Sequence, residues 1–112
     1  MDLPQLLLNT ARSVQSTLTQ RGTLRESVAA SGPTMADLAA DKVATELLTR
    51  AGVAVFSEES GFHPAPGEFM VILDPLDGSL NASRGVPHYA CSLCAIDQDG
   101  PVHACVLDLE RG

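Results

Sequence analysis

The 112-residue sequence predicts an α+β domain in which two helices pack on a largely antiparallel sheet. Three observations carry that expectation. Two segments with helical apolar spacing come first, five consecutive apolar residues (69–73) then stop abruptly at an aspartate, and two strand-like runs close the chain around an Asp-Gly turn. A chain of this length fits one domain, residues 1–112, with a core that removes roughly 65% of the unfolded surface from water.

The elements follow in order. Residues 3–20 place Leu3, Leu7, Ala11, Val14 and Leu18 on one helical stripe, and Gly22 supplies the stop. Residues 22–33 are mixed and polar and close in Ser31-Gly32-Pro33, a loop signal. A second helix is expected from Thr34, where Thr34-x-x-Asp37 has the form of a capping box with aspartate in place of glutamate. Ala36, Ala39, Val43 and Leu47 form its expected inward face, and Ala51-Gly52 its end. Val53–Phe56 reads as a short strand running into Ser57-Glu58-Glu59-Ser60-Gly61, and a Pro/Gly-rich loop (His63–Gly67) leads to a Phe69–Leu73 strand. Five apolar residues in a row fit a strand buried on both faces. After Asp74-Pro75-Leu76-Asp77-Gly78-Ser79 a short helix is broken by Gly85 and Pro87. Tyr89–Ile96 and Val102–Leu109 then form a hairpin through Asp97-Gln98-Asp99-Gly100. The last strand leaves a sheet edge with nothing after it in this sequence to cover it, so the chain reads as an incomplete unit.

Composition narrows the partners. Fourteen acidic against seven basic residues give a net charge of −7, and Lys42 is the only lysine. Nucleic acid is not an expected partner, because neutralising phosphates needs a basic surface. No apolar run approaches the ~20 residues that span a bilayer, so a membrane is not expected either. Three cysteines (Cys91, Cys94, Cys105) without an export signal point to reduced thiols and a cytoplasmic location.

The chemistry is expected among the carboxylates. Glu58-Glu59 and Asp74/Asp77 each follow a predicted strand, where open α/β sheets place their ligands, and Asp37 lies near a helix start. Singly, Asp37 reads as a cap, Glu58-Glu59 as a solvated loop, and Asp74-Pro75 and Asp77-Gly78 as turn formers. Gathered together without a cation they would repel one another and raise each other's pKa, and a divalent ion reverses that effect. Carboxylates, a backbone carbonyl and water, with no histidine at metal-site spacing, favour magnesium over zinc. An EF-hand calcium loop does not match, since Asp74-x-x-Asp77-Gly78 lacks the alternating acids and the terminal glutamate. Cys91 and Cys94, three apart on a strand, would face opposite sides about 10 Å apart, which suits packing and excludes a disulfide. His63, His88 and His103 read as loop or surface residues, Arg84 as a solvated loop residue, and the strand aromatics with Tyr89 as core.

Ser57-Glu58-Glu59-Ser60-Gly61, then Asp74-Pro75-Leu76-Asp77-Gly78-Ser79-Leu80-Asn81, then Gly85-Val86-Pro87, resemble the inositol monophosphatase/fructose-1,6-bisphosphatase superfamily, above all its archaeal-type dual-substrate members. The resemblance implies the N-terminal half of a layered αβαβα sandwich. The other half normally adds a metal-binding aspartate in a Trp-Asp-x-Ala-type motif and most sugar or inositol contacts, and that motif is not in this sequence. It further implies magnesium-dependent, lithium-sensitive hydrolysis of a small-molecule phosphate monoester (fructose 1,6-bisphosphate, inositol 1-phosphate or both) with two or three Mg2+ ions, Mn2+ substituting, in a cytoplasmic homodimer. Carried over residue by residue, Glu58, Asp74 and the Leu76 carbonyl would hold a first ion, with Asp74 bridging to a second that Asp77 also binds. Glu59 would steady the loop. Gly78 and Ser79 would offer backbone N–H groups to the phosphate. Asp37 would pair with the Ser79 hydroxyl to activate water, giving Asp37, Ser79 and Glu58 catalytic roles. Two rival expectations are a truncated or decayed relative serving in dimerisation or regulation, and the same chemistry on a nucleotide phosphate.

Overall fold

The computed structural model describes residues 1–20 and 35–112. The expected loop over 22–33, the Gly22 stop and the Thr34 cap lie outside the described residues.

Helix α1 (Leu3–Gln20) buries Leu3, Leu7, Ala11, Val14 and Leu18, the stripe its spacing predicts, together with Thr10. The Asp2 carboxylate accepts the Gln5 N–H at 3.0 Å and so satisfies a donor of the first turn. Thr10 is tolerated inside because its hydroxyl donates to the Leu6 carbonyl at 2.8 Å.

Helix α2 (Met35–Arg50) corrects the expected inward face. The buried stripe is Ala36, Asp37, Ala40, Asp41, Ala44, Thr45 and Leu48, whereas Ala39, Val43 and Leu47 are only half-buried. An apolar count misphases the helix because two aspartates and a threonine sit on the inward side. The end falls where expected: Gly52 takes φ 86° and the Val53 N–H reaches back to the Leu48 carbonyl at 3.0 Å, the bond that closes a Schellman-type helix end.

Among the described residues, five strands form one mixed sheet in the order β2-β1-β3-β4-β5. They are β1 (Ala54–Ser57), β2 (Gly61–His63), β3 (Met70–Asp77), β4 (Ala90–Asp97) and β5 (Gly100–Asp108). β1 and β3 run parallel, and the β1–β2, β3–β4 and β4–β5 pairings are antiparallel. β2 falls where a loop was expected: three residues between Ser60 and Pro64 carry too little pattern, and pairing with β1 (Ser57↔Gly61, Val55↔His63) makes them a strand. The β4–β5 hairpin forms as expected, with Gln98-Asp99 at its tip, Gly100 paired to Asp97, and the Asp97 carboxylate accepting the Asp99 N–H at 2.8 Å.

One face of the sheet carries both long helices, α1 against β4 and β5 and α2 against β1 and β3. Leu7, Val14, Leu48, Val53, Val55, Val71, Leu73 and Leu93 are fully enclosed between them, and each contributes about 1.5–3 kcal/mol of apolar burial. Among the described residues, no helix covers the opposite face. That face shows Phe56 (50% exposed), Ile72 (42%) and Val106 (69%), which overturns the expectation of a β3 buried on both sides. An uninterrupted apolar run states that both faces avoid water but not that both covers belong to the same 112 residues. Phe56 and Phe62 are likewise exposed rather than core, and Tyr89 is half-buried with its hydroxyl on the Glu110 carboxylate.

The cysteines are free thiols, with Cys91 buried on the helix-covered face and Cys94 half-buried on the other. Burial, with minor help from Cys105 and Asp74, pushes the Cys91 thiol up to about 12, so it carries no thiolate at pH 8. Iodoacetamide at pH 8 is therefore expected to leave Cys91 unlabelled in the folded protein and to label it on unfolding, as read by mass spectrometry of the Cys91 peptide.

Candidate active site

The site grows from the parallel pair. Register places Phe56 beside Ile72 and Ser57 beside Leu73, so the next residues, Glu58 and Asp74, leave adjacent strand ends together. The Glu58 N–H extends the ladder by one bond to the Leu73 carbonyl at 2.9 Å. Side chains alternate between faces. With Ser57 and Leu73 buried under the helices, Glu58 and Asp74 emerge on the open face, where they line a groove of about 480 Å³ with Phe56, Ile72, Ser92 and Val106.

Strict alternation would send Asp77 to the helix side, three residues beyond Asp74. The structure avoids this with a bulge. Asp74 pairs with Ser92 and Asp77 with Ala90, so three steps on β3 match two on β4, and Pro75 and Leu76 are buried in succession. Proline has no N–H to lose from the ladder and tolerates the irregularity. Asp77 then emerges exposed, out of the alternation that buried Leu73. The Asp-Pro-Leu-Asp segment is therefore a bulged continuation of β3 and not the turn expected from its composition.

The electrostatics record the crowding. Asp74 is pushed up to about 7, first by desolvation, then by a hydrogen bond shared with the Glu58 carboxyl, then by the charges of Glu58, Asp77 and Glu59. Glu59 is also raised, by desolvation and by Asp37, Glu58 and Asp41. Asp37 and Asp41, one turn apart on α2, are both buried, so the acids fall into two sets. Glu58, Asp74 and Asp77 sit at the open rim, while Asp37 and Asp41 lie on the helix side with Glu59 in their field. Among the described residues, no three His, Cys, Asp or Glu side chains form a ready metal cage. The close convergence is the Glu58–Asp74 pair, with Asp77 and Glu59 acting on it through their charges. Two carboxyls side by side, with two further acids in their field, are an oxygen donor set that fits a hard divalent cation.

Gly78 follows at φ 90°, ψ 31° and opens the five-residue helix α3 (Ser79–Ser83). A Cβ at Gly78 would stand 2.6 Å from the His88 carbonyl oxygen and 3.3 Å from Tyr89, so both backbone angle and space demand glycine. The approach is held by Asn81, whose amide donates to that same carbonyl at 2.9 Å. Ser79 is half-buried, and Leu76 is buried within the bulge.

Two residues escaped the sequence reading. Asp41 accepts a hydrogen bond from the Ser57 hydroxyl across the helix–sheet boundary, and Ser57 in turn accepts the Glu59 N–H at 3.1 Å. The signal was the spacing Asp37, Asp41, Thr45, Leu48, a helical stripe that hydrophobicity alone does not find.

A mixed sheet with acids at its parallel strand ends, followed by a glycine-forced turn, defines a class of carboxylate-rimmed sites suited to cations and anions together. The chain belongs to the inositol monophosphatase family, whose model matches residues 6–110. It is 42% identical over 72 residues to a fructose-1,6-bisphosphatase of Pyrococcus furiosus, an alignment covering 61% of this chain and 28% of that protein. It is 49% identical over 59 residues to the fructose-1,6-bisphosphatase/inositol-1-monophosphatase of Archaeoglobus fulgidus, covering 53% and 23%. The fold matches the crystal structure of the extragenic suppressor protein suhB from Bartonella henselae with a TM-score of 0.84 at 24% identity, over 98% of this chain and 46% of that one. The chain thus spans less than half the length of these relatives. No helix among the described residues is long and apolar enough to cross a membrane.

Replacing Gly78 by alanine is expected to cost roughly 1–3 kcal/mol from the strained backbone and the close carbonyl, read as a lower midpoint of chemical denaturation.

Proposed function

We propose that this chain is the N-terminal, metal-binding portion of a magnesium-dependent phosphomonoesterase acting on fructose 1,6-bisphosphate, inositol 1-phosphate or both. The observation that carries the reading is the Glu58–Asp74 pair on adjacent parallel strand ends, with Asp74 pushed up to about 7 by burial, Glu58 and neighbouring charge. Family membership and the two archaeal phosphatases among the relatives support the choice of substrate.

In this reading Glu58, Asp74, the Leu76 carbonyl and Asp77 would hold the ions. When bound, magnesium supplies positive charge that offsets the phosphate dianion and makes water more acidic. The protein residues do the rest. Asp74 and Asp77 stand three apart on one strand and can serve two neighbouring ions because the bulge takes Asp77 out of strict alternation. Gly78 and Ser79 turn N–H groups toward a phosphate oxygen, and Gly78 alone allows the chain so close to His88. Asp37 and the Ser79 hydroxyl orient the attacking water and take up its proton. Glu59 holds the approach of the loop. No covalent nucleophile is needed. The family resemblance assigns the remaining contacts to the sugar or inositol, and one further metal-binding aspartate, to the part of the relatives' fold that this chain does not span.

In the intact protein, Asp77→Asn is expected to remove nearly all phosphate release from both substrates while leaving the circular dichroism spectrum unchanged; retention of the parent rate would overturn the role. Millimolar magnesium is expected to raise the melting temperature of the parent protein in a concentration-dependent way. Asp74→Asn is expected to abolish that rise and, by relieving repulsion, to melt a few degrees above the parent without metal. A folded, metal-indifferent protein with no phosphatase activity would favour the non-catalytic alternative.

A further inference from the structure

We propose that Asp41 and Ser57 form a positioning pair that fixes the Glu58-Glu59 segment from the helix side of the sheet; this rests on the metal-binding reading of Glu58. Ser57 is the last residue of β1, 1% exposed, and Asp41 on α2 is 7% exposed. The Ser57 hydroxyl donates to an Asp41 carboxyl oxygen, so its single proton is committed to Asp41. The Ser57 lone pairs are then free for the Glu59 N–H, which they accept at 3.1 Å. The relay has one direction, from the Glu59 N–H to the Ser57 hydroxyl to Asp41, and each bond polarises the next.

Its consequence lies at Glu58. The N–H of Glu58 is held by the Leu73 carbonyl at 2.9 Å and the N–H of Glu59 by Ser57, so Glu58 is pinned on both sides. Its side chain leaves on the open face beside Asp74 while the pinning group stands on the opposite face. An acid buried against a serine, on the face opposite Glu58 and Asp74, is an uncommon choice for an enclosed position. Fold stability alone gives no reason for a charge there, because an apolar residue would fill the same space with less desolvation. Holding a ligand loop in one orientation gives such a reason, since partners behind metal ligands set ligand geometry.

The test is magnesium binding to the intact protein by calorimetry, with melting temperatures measured with and without the ion. Ser57→Ala is expected to weaken magnesium by about tenfold and to shrink the magnesium-induced rise in melting temperature. Ser57→Thr keeps the hydroxyl and is expected to stay within about threefold of the parent, where a lost partner costs tenfold or more. Ser57→Cys, close in size, serves should the alanine variant not fold, and the same loss is expected because a thiol is a weak donor and acceptor. A merely structural pair lowers both melting temperatures equally and leaves the affinity alone. Magnesium affinity within about twofold of the parent in the alanine or cysteine variant, against the tenfold expected, overturns the proposal. A parent protein that binds no magnesium overturns the phosphatase reading beneath it, and the two failures are told apart by the parent titration.

Discussion

The bulge between Asp74 and Asp77 is the constraint on which the site depends. A regular strand cannot show two side chains three residues apart on one face, because its period is two. One extra residue against β4 changes that parity, and Pro75 and Leu76 take the buried positions in succession. The burial of Leu76 anchors the irregularity in the core, while the missing N–H of Pro75 removes the donor that would have resisted it. The acids are therefore presented by strand backbone fixed in a sheet, a firmer support than a free loop.

Crowding of like charge is the energetic signature of that arrangement. Asp74 is raised to about 7, first by its burial, then by the hydrogen bond with Glu58 and by the charges of Glu58, Asp77 and Glu59. Sequences selected for stability alone separate such groups. Here parallel pairing of β1 with β3 forces them together, because the register that puts Phe56 beside Ile72 leaves Glu58 beside Asp74. The conflict between local stability and the acid cluster marks a functional place in the fold.

The two faces of the sheet divide the labour. The helix-covered face holds the core and, at its edge, Asp37, Asp41 and Ser57; the open face holds Glu58, Asp74 and an apolar groove with Phe56, Ile72 and Val106. The apolar groove continuing from an acid rim agrees with a chain that covers 46% of a structural relative with the same fold.

Much of this was legible in the residues themselves. Apolar spacing identified α1 residue by residue, Gly52 marked the end of α2, and Asp97 to Gly100 marked the hairpin, because each rests on local geometry within a few neighbours. The order Glu58-Glu59, Asp74, Asp77, Gly78 also declared the family, since that pattern is written along the chain. What the sequence could not declare depended on partners far along it. The phase of α2 turned on Asp41 meeting Ser57, sixteen residues away. The strand character of Gly61–His63 came from pairing with β1, and the bulge came from β4. The open side of β3 followed from which elements cover the sheet. Periodicity states which residues avoid water; only tertiary contacts decide what covers them and which acids end as neighbours.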